Sequence, residues 1–122
     1  MDSAIKRRNA EKNGRRAEFA AALWLSLKWY RILGRRIRTP AGELDIVALS
    51  PRGILSFVEV KARKTATEAL EGISRRQRER IARAAELYLS QRPALRHNPV
   101  RFDAILIVPH RLPRHMKDAW RL

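Results

Sequence analysis

The sequence predicts a single α/β domain built on one mixed β-sheet, with its elements in the order αβββαβ. Two runs of β-branched and aliphatic residues flank a Pro-x-Gly interruption at Pro51–Gly53, which is typical of a β-hairpin. A helical segment with a capping signature and then a continuous apolar run follow the hairpin. A strand, a helix and a further strand in succession form a right-handed crossover with parallel strands.

The composition describes one basic domain. The 122 residues carry 27 Lys and Arg against 12 Asp and Glu, a formal net charge of +15, and 45% are hydrophobic. We assign the single core to residues 14–122. Residues 1–13 lack apolar periodicity and are predicted to be a flexible basic arm, either a phosphate contact or a frayed terminus. The absence of cysteine excludes disulfides and thiolate chemistry.

The charge and the apolar runs bear on partners and location. A folded chain with this excess of Arg and Lys favours phosphate-rich partners. The longest apolar run, Ala104–Val108, is far too short to span a membrane, and no apolar leader follows Met1. We therefore expect a cytoplasmic protein without a membrane partner, either a monomer or a homodimer.

The first helix is predicted over residues 14–28. Phe19, Leu23 and Leu27 recur at four-residue spacing, so we expect them to face the core. Glu18 lies in the first turns of this helix, where a carboxylate is favourable in itself. Taken alone, Glu18 is interpreted as a solvated residue.

A first strand is predicted over residues 29–37. Arg35, Arg36 and Arg38 lie in or just after it. They are either a solvated sheet edge, which discourages pairing between molecules, or contacts to a nucleic-acid backbone.

The hairpin follows, and its turn sets its register. If Gly53 adopts the left-handed conformation of a three-residue loop, Ser50 lies opposite Ile54, and counting outward places Ile46 opposite Val58. One face of the hairpin is then almost wholly apolar.

The same register places charges on the other face. Asp45 is predicted opposite Glu59, and Glu43 opposite Lys61. Directly opposed like charges destabilise a sheet and raise a carboxyl pKa. A divalent cation resolves this conflict, because Mg²⁺ binds carboxylates together with water and phosphate oxygens. Lys61 could then orient a water molecule or stabilise charge on an attacked phosphate.

The second helix is predicted from a capping box at Ser74 and Gln77 to about Gln91, after a polar loop over residues 63–72. Its first half carries five arginines and favours a nucleic-acid-facing surface over a merely solvated one. The predicted buried stripe consists of Ile81, Ala84, Ala85, Tyr88 and Leu89.

The last strand is predicted over Val100–Val108, fully buried and parallel to the second arm of the hairpin. Asp103 is interpreted as a structural residue paired with Arg101 or a neighbouring Arg, with a direct metal role as the less favoured alternative. His110 and His115 do not have the spacing of a zinc site, and Trp120 is expected to close over the core.

The charged hairpin residues resemble a known signature. Asp45 and Glu59–Lys61 resemble the PD-(D/E)xK nuclease motif. More narrowly, Gly42–Ala48 and Phe57–Arg63 resemble the uncharacterised bacterial YraN family, also called UPF0102, of endonuclease-like proteins. The resemblance covers nearly the whole chain. It implies a restriction-endonuclease-like mixed sheet flanked by helices.

The resemblance also implies an activity, namely metal-dependent hydrolysis of phosphodiester bonds in DNA, with branched or repair intermediates among the candidate substrates. Glu18 matches a helical Glu near the family's active site, and Gln77 falls where related nucleases present a polar helix residue. The predicted catalytic residues are Lys61, Glu59, Asp45 and Glu18, the predicted ligands of Mg²⁺ (or Mn²⁺) are Asp45, Glu59 and the Val60 carbonyl, and Glu43 is an accessory residue.

Nucleic-acid contacts are assigned to one set of polar residues. They are Arg35, Arg36, Arg38, Arg63, Lys64, Arg75, Arg76, Gln77, Arg78 and Arg80. The predicted partner is DNA, with RNA as an alternative. A non-catalytic nucleic-acid-binding module, in which arginines neutralise Asp45 and Glu59, is the competing hypothesis.

Overall fold

The computed structural model describes residues 3–69 and 72–121, which form one five-stranded mixed sheet flanked by helices. Strand order is β1-β2-β3-β4-β5, and only β3 and β4 are parallel. The predicted α/β class and the parallel crossover are confirmed, and the architecture is consistent with a restriction-endonuclease-like fold. The elements are α1 (Ser3–Leu27), β1 (Arg31–Thr39), β2 (Gly42–Leu49), β3 (Leu55–Ala62), α2 (Ala66–Ala69), α3 (Arg75–Ser90), a 3₁₀ turn (Pro93–Leu95), β4 (Val100–Ile107) and β5 (Arg114–Met116).

The turn between β2 and β3 confirms the predicted register. Gly53 has a φ of 84°, in the left-handed region that favours glycine. Its N–H donates to the Ser50 carbonyl, and the Ser50 N–H donates to the Ile54 carbonyl, both at 2.9 Å. Ile46 pairs with Val58 as predicted.

The ladder between β2 and β3 ends at that pair. Beyond it, the Val60 N–H donates to Oδ2 of Asp45 at 2.9 Å, so a side-chain carboxylate takes the place of a main-chain carbonyl. The expected cross-strand pair of Glu43 with Lys61 is therefore wrong. The two strands diverge at this end, and the divergence creates the space in which the candidate site lies.

Helix α1 begins at Ser3, so the predicted boundary after residue 13 falls inside a helix. The segment lacks apolar periodicity, but its Ala, Lys, Arg and Glu residues are strong helix formers. Met1 and Asp2 lie outside the described residues. Within residues 3–69 and 72–121, no helix combines the length and apolar character that crossing a bilayer requires.

The predicted core face of α1 is wrong. Phe19, Leu23 and Leu27 are 59%, 51% and 68% exposed. The opposite face, with Ala21 and Leu25 fully buried, packs on the sheet. Small alanines allow the helix backbone to approach the strands closely, whereas the larger residues, although correctly spaced, point outward.

Helix α3 covers the other side of the sheet as predicted. Ile81, Ala84, Ala85 and Tyr88 are buried in the predicted stripe, and Leu89 is partly buried against the same core cluster. The side chain of the N-cap residue before the helix accepts a hydrogen bond from the third residue after it. The predicted cap and helix end are confirmed to within a residue.

The carboxylate of Asp103 organises the end of the chain. It accepts five hydrogen bonds: from Ser56 Oγ at 2.6 Å, from two nitrogens of Arg101 at 2.7 and 2.8 Å, from the Asp118 N–H at 3.0 Å, and from His115 Nε2 at 2.8 Å. The predicted pairing with Arg101 is confirmed. Both carboxylate oxygens are engaged, so the structural interpretation of Asp103 replaces the metal one.

The tail after β4 was only partly predicted. It contributes the short antiparallel strand β5, which we did not predict. Trp120 is 6% exposed and stacks on Phe102 with ring centroids 5.4 Å apart, as expected for a residue that closes over the core.

Candidate active site

Three elements bring four carboxyl groups to one end of the sheet. Glu18 comes from α1, Glu43 and Asp45 from β2, and Glu59 from β3. One carboxylate oxygen from each of Glu18, Glu43 and Asp45 lies within 4.8 Å of the others. The chain contains 12 acidic residues against 27 basic ones, and four of the 12, a third, lie here.

Glu59 is oriented by the first turn of α3. Its Oε1 accepts a hydrogen bond from Gln77 Nε2 at 2.7 Å. Gln77 was predicted to complete a capping box with Ser74, but only half of that box forms. The Gln77 N–H donates to Ser74 Oγ at 3.2 Å, while the Gln77 side chain reaches Glu59. One residue thus takes part in the N-terminal cap of α3 and also positions a carboxylate.

Asp45 and Glu59 hold their protons more tightly than carboxyl groups usually do. Burial raises the pKa of Asp45 to about 6, against the hydrogen bond from Val60, and the charge of Glu18 raises it further. Burial also raises the pKa of Glu59, to about 8, with the adjoining Asp45 as the second cause. Such paired carboxyls compete for one proton near neutral pH. The site is therefore short of positive charge.

Arg36 is the cation that this end of β1 supplies. Its Nε lies 2.5 Å from Oε2 of Glu18, which is itself only 8% exposed. The pKa of Arg36 is raised, first by that hydrogen bond and further by the charges of Glu18, Glu43 and Asp45. Arg36 has a φ of 50°, a conformation that few non-glycine residues adopt. The backbone is thus turned locally where the guanidinium meets the acids.

An open cavity of about 1170 Å³ adjoins the acids. Glu18, Asp45, Glu59 and Val60 form part of its wall, next to Arg63 and Lys64 of the segment that follows β3. This volume accommodates a ligand of nucleotide size.

The Lys61 side chain is buried and bonded to the segment before α3. Its side chain is 6% exposed, and its Nζ donates to the Gly72 carbonyl at 2.9 Å. It lines a smaller cavity of about 90 Å³, beside Ile73 and Arg78. Glu59 and Lys61 both reach toward the side of the sheet covered by α3, as alternation along a strand requires. The ammonium is nevertheless held at the entry to α3.

Some of the predicted basic residues lie beside the acids. Arg63 and Lys64 line the cavity. Arg80 passes over Gly42, where a Cβ would lie 2.9 Å from its Cδ, and its charge opposes the rise in the Glu59 pKa. Positive charge thus lies close to the acids on this side of the molecule.

Other predicted basic residues have local partners or lie farther along the surface. Arg78 donates to the Ile73 carbonyl at 2.7 Å, and Arg75 pairs with Glu79 at 3.2 Å on the exposed face of α3. The remaining ones are exposed: Arg35, Arg38 and Arg76.

The cavity also contains residues that we did not predict. Arg16 on α1 and Glu68 on α2 form part of its wall. Glu68 accepts a hydrogen bond from the Lys64 N–H at 3.3 Å. The sequence predicts a loop here, but Ala66–Ala69 form the short helix α2, and no spacing in the sequence indicates that Glu68 reaches this cavity.

The donor chemistry of the site suits a hard divalent cation. Every candidate ligand is an oxygen: the carboxylates of Asp45, Glu59, Glu18 and Glu43, and the Val60 carbonyl. Mg²⁺ and Mn²⁺ prefer such oxygen donors. A dication would also offset the repulsion that raises the carboxyl pKa values.

Comparison with known proteins gives one consistent family. The family described as "Uncharacterised protein family UPF0102" matches residues 17–107. A UPF0102 protein of Maricaulis maris is 51% identical over 93% of this chain and 89% of its own length. UPF0102 proteins of Paramagnetospirillum magneticum and Caulobacter vibrioides are 48% and 50% identical, over 93% and 91% of this chain and 90% and 88% of their own lengths.

Proposed function

Since this chain belongs to the uncharacterised protein family UPF0102, whose description names no reaction, we propose its function from the site: metal-dependent hydrolysis of phosphodiester bonds in DNA. One observation carries the proposal. Three of the four site acids, Glu18, Asp45 and Glu59, line an open cavity in a chain with a net charge of +15, and arginine and lysine residues line the same cavity. Acids for a cation and cations for a phosphate backbone are the two requirements of this reaction.

The chain's own residues would hold Mg²⁺ through Asp45, Glu59 and the Val60 carbonyl. Glu18 and Glu43 would add contacts through water or a second ion. Bound Mg²⁺ supplies a Lewis acid for a phosphoryl oxygen and lowers the pKa of water. Gln77 keeps the Glu59 carboxylate in place, and the Val60 N–H does the same for Asp45.

The basic residues divide into two roles in this proposal. Arg63, Lys64 and Arg80 hold the DNA backbone against the cavity. Lys61 positions the attacking water or stabilises developing negative charge, for which its ammonium leaves the Gly72 carbonyl. Movement of Lys61 would therefore break its hydrogen bond to the segment before α3.

A non-catalytic nucleic-acid-binding module is the second candidate. Two contacts favour it: the ion pair between Arg36 and Glu18, and the hydrogen bond between Lys61 and the Gly72 carbonyl. In that case the acids position arginines by internal pairing, and no cation enters.

Calorimetric titration with Mn²⁺ separates the two candidates. The wild type should bind Mn²⁺, and Asp45→Ala should not. Glu86→Gln is the matched control, because it removes an exposed carboxylate on α3, away from the cavity. Absence of binding to the wild type, with or without DNA, would favour the non-catalytic module.

Cleavage assays then test the reaction. Plasmid, linear, single-stranded and branched DNA, together with RNA, are incubated with Mn²⁺ and either wild type or Lys61→Ala. Cleavage that is lost in Lys61→Ala and kept in Glu86→Gln supports the assignment. Equal cleavage by wild type and Lys61→Ala would indicate contamination or another site. Nicks rather than duplex breaks would indicate one active protomer per event.

A further inference from the structure

The outward face of α1 and the turn after it carry large apolar side chains. Phe19, Leu23 and Leu27 lie one helical turn apart, and Trp29, which follows the helix, is 84% exposed. We name these four residues the α1 outer face. Contiguous exposed apolar residues of this kind mark binding surfaces more often than single ones do.

Cations accompany the aromatic rings of this region. The guanidinium carbon of Arg35 lies 5.8 Å from the centroid of the Phe19 ring. Lys28 Nζ lies 5.2 Å from the ring of Trp24. Burial, and then the charge of Lys117, lowers the pKa of Lys28, so a third cation stands nearby. The rim of the α1 outer face is therefore positive.

This charge argues against a second copy as the occupant. A two-fold contact places the same patch on both partners. The positive charges of Arg35 and Lys28 on one partner would then face the same positive patch on the other, in a chain that already carries +15. A polyanion with apolar, flat groups matches both the rings and the rim.

The position of Phe19 links this face to the proposed site. Phe19 directly follows Glu18, whose carboxylate belongs to the acidic group. Arg35, which contacts the Phe19 ring, directly precedes Arg36, the ion-pair partner of Glu18. A strand that leaves the cavity over α1 thus meets an exposed ring with a cation beside it.

We propose that the α1 outer face binds unpaired nucleotides, with bases stacked on Phe19 and Trp29 and phosphates beside Arg35 and Lys28. The proposal rests on the proposed function for the presence of nucleic acid at the cavity. It narrows the substrate class to nucleic acids with a single-stranded segment beside the scissile bond, such as flaps, gaps and branches. Uninterrupted duplexes cannot offer a free base face.

Binding without divalent cations tests this inference separately from hydrolysis. Fluorescence anisotropy in EDTA compares a labelled oligothymidylate of about 15 nucleotides with a hairpin duplex of the same charge. Phe19→Ala and Trp29→Ala should each weaken single-strand binding by at least about fivefold, the typical minimum for one stacked base. Duplex binding should stay unchanged, and Phe19→Tyr should bind single strands as the wild type does.

Leu112→Ala is the matched control, because it truncates another exposed apolar residue, 77% accessible, between β4 and β5. It should leave both affinities unchanged. Unchanged single-strand binding by Phe19→Ala and Trp29→Ala would overturn the inference, as would equal losses for both probes.

Sedimentation equilibrium tests whether a second copy of the chain occupies the α1 outer face instead. A wild-type dimer that dissociates in Phe19→Ala would assign the α1 outer face to self-association and overturn the inference. Failure of Mn²⁺ binding would overturn only the proposed hydrolysis, because the EDTA assay involves no divalent cation.

Discussion

The pKa of Asp103 and the pKa values of Asp45 and Glu59 shift in opposite directions, although burial acts on all three carboxyl groups. Burial opposes the ionisation of Asp103, but hydrogen bonds from His115, Arg101 and Ser56 outweigh it, and the pKa of Asp103 is well below its usual range. At the candidate site, burial raises the pKa values of Asp45 and Glu59, and the few hydrogen bonds there do not compensate.

Burial alone therefore does not distinguish a structural carboxylate from one that could bind a cation. The number and charge of the hydrogen-bond donors around a buried carboxylate decide whether its charge is compensated. Asp103 accepts five hydrogen bonds and needs no further ligand. Asp45 Oδ2 accepts a hydrogen bond from the Val60 N–H and Glu59 Oε1 accepts one from the Gln77 amide, and both of these donors are neutral. Only the second group would gain from an added cation.

Removal of the two carboxylates should have very different effects on stability. Asp103→Ala leaves the Arg101 guanidinium without its buried partner, so we expect a loss of about 3–5 kcal/mol in the free energy of unfolding. Asp45→Ala removes a repulsive charge and should change that free energy by less than about 1 kcal/mol, in either direction. Urea unfolding at neutral pH without divalent cations measures both. A large loss in Asp45→Ala would mean that the acidic group is structural.

The pH dependence of stability should have a different sign for each group. Asp45 and Glu59 have raised pKa values, about 6 and about 8, so the unfolded chain releases these protons first. Their contribution to stability is therefore complete below about pH 4 and is lost as the pH rises to about 8. Asp103 has a lowered pKa, so its contribution is present above about pH 4 and is lost as the pH falls.

Urea unfolding between pH 4 and pH 9 tests the alkaline side of this contrast. Glu59→Gln should flatten the decline in stability toward pH 8. Saturating Mn²⁺ should reverse the decline in the wild type, because a ligand that binds only the folded state stabilises it. An identical pH profile for wild type and Glu59→Gln would contradict the raised pKa of Glu59.

The parts of the fold set by local interactions were predictable from the sequence. The turn at Gly53 fixes the hairpin register, and Ser74 fixes the start of α3. Strand β5 was missed, because its three residues are ordered by pairing with β4 rather than by a pattern of their own. The orientation of α1 was also missed: four-residue spacing marks a stripe, but two stripes were available, and the one with small alanines packs closely.

The candidate site was predictable only where it follows from strand register. Asp45 and Glu59 on neighbouring strands could be placed together by counting, and the family resemblance added Glu18. The partner of Glu18 could not be predicted, because Arg36 reaches it through an unusual local backbone conformation. The contact of Lys61 depends on how the segment before α3 folds back. Side-chain partners between distant segments leave no periodic signal in the sequence.

Removal of Arg36 should leave the acidic group without the guanidinium that now pairs with Glu18. If Mn²⁺ and the guanidinium compete for the same carboxylates, Arg36→Gln should tighten Mn²⁺ binding by about fivefold, the low end of common coupling energies, because the pair is partly exposed. Arg35→Gln is the matched control. It removes the same formal charge from the neighbouring residue, which is exposed and contacts Phe19.

Calorimetric titration of both variants at the same pH and salt concentration decides the matter. Arg35→Gln should bind Mn²⁺ nearly as the wild type does, because screening weakens the influence of an exposed charge. Equal tightening in the two variants would show that only the overall charge matters. Weaker binding in Arg36→Gln would show that the arginine supports the cation site instead of competing for it.

Two substitutions with small expected effects separate the backbone role of Gln77 from its side-chain role. Its N–H completes the cap on Ser74, whereas its side chain holds Glu59 and lowers the pKa of that carboxyl. Gln77→Ala keeps the backbone N–H of the cap but removes the amide that lowers the Glu59 pKa. The pH at which Mn²⁺ binding is half-maximal should therefore rise, by less than about one unit. Ser74→Ala should cost about 1 kcal/mol of unfolding free energy without moving that pH. If Ser74→Ala moved the pH midpoint as far as Gln77→Ala, the start of α3 as a whole, rather than one amide, would position Glu59.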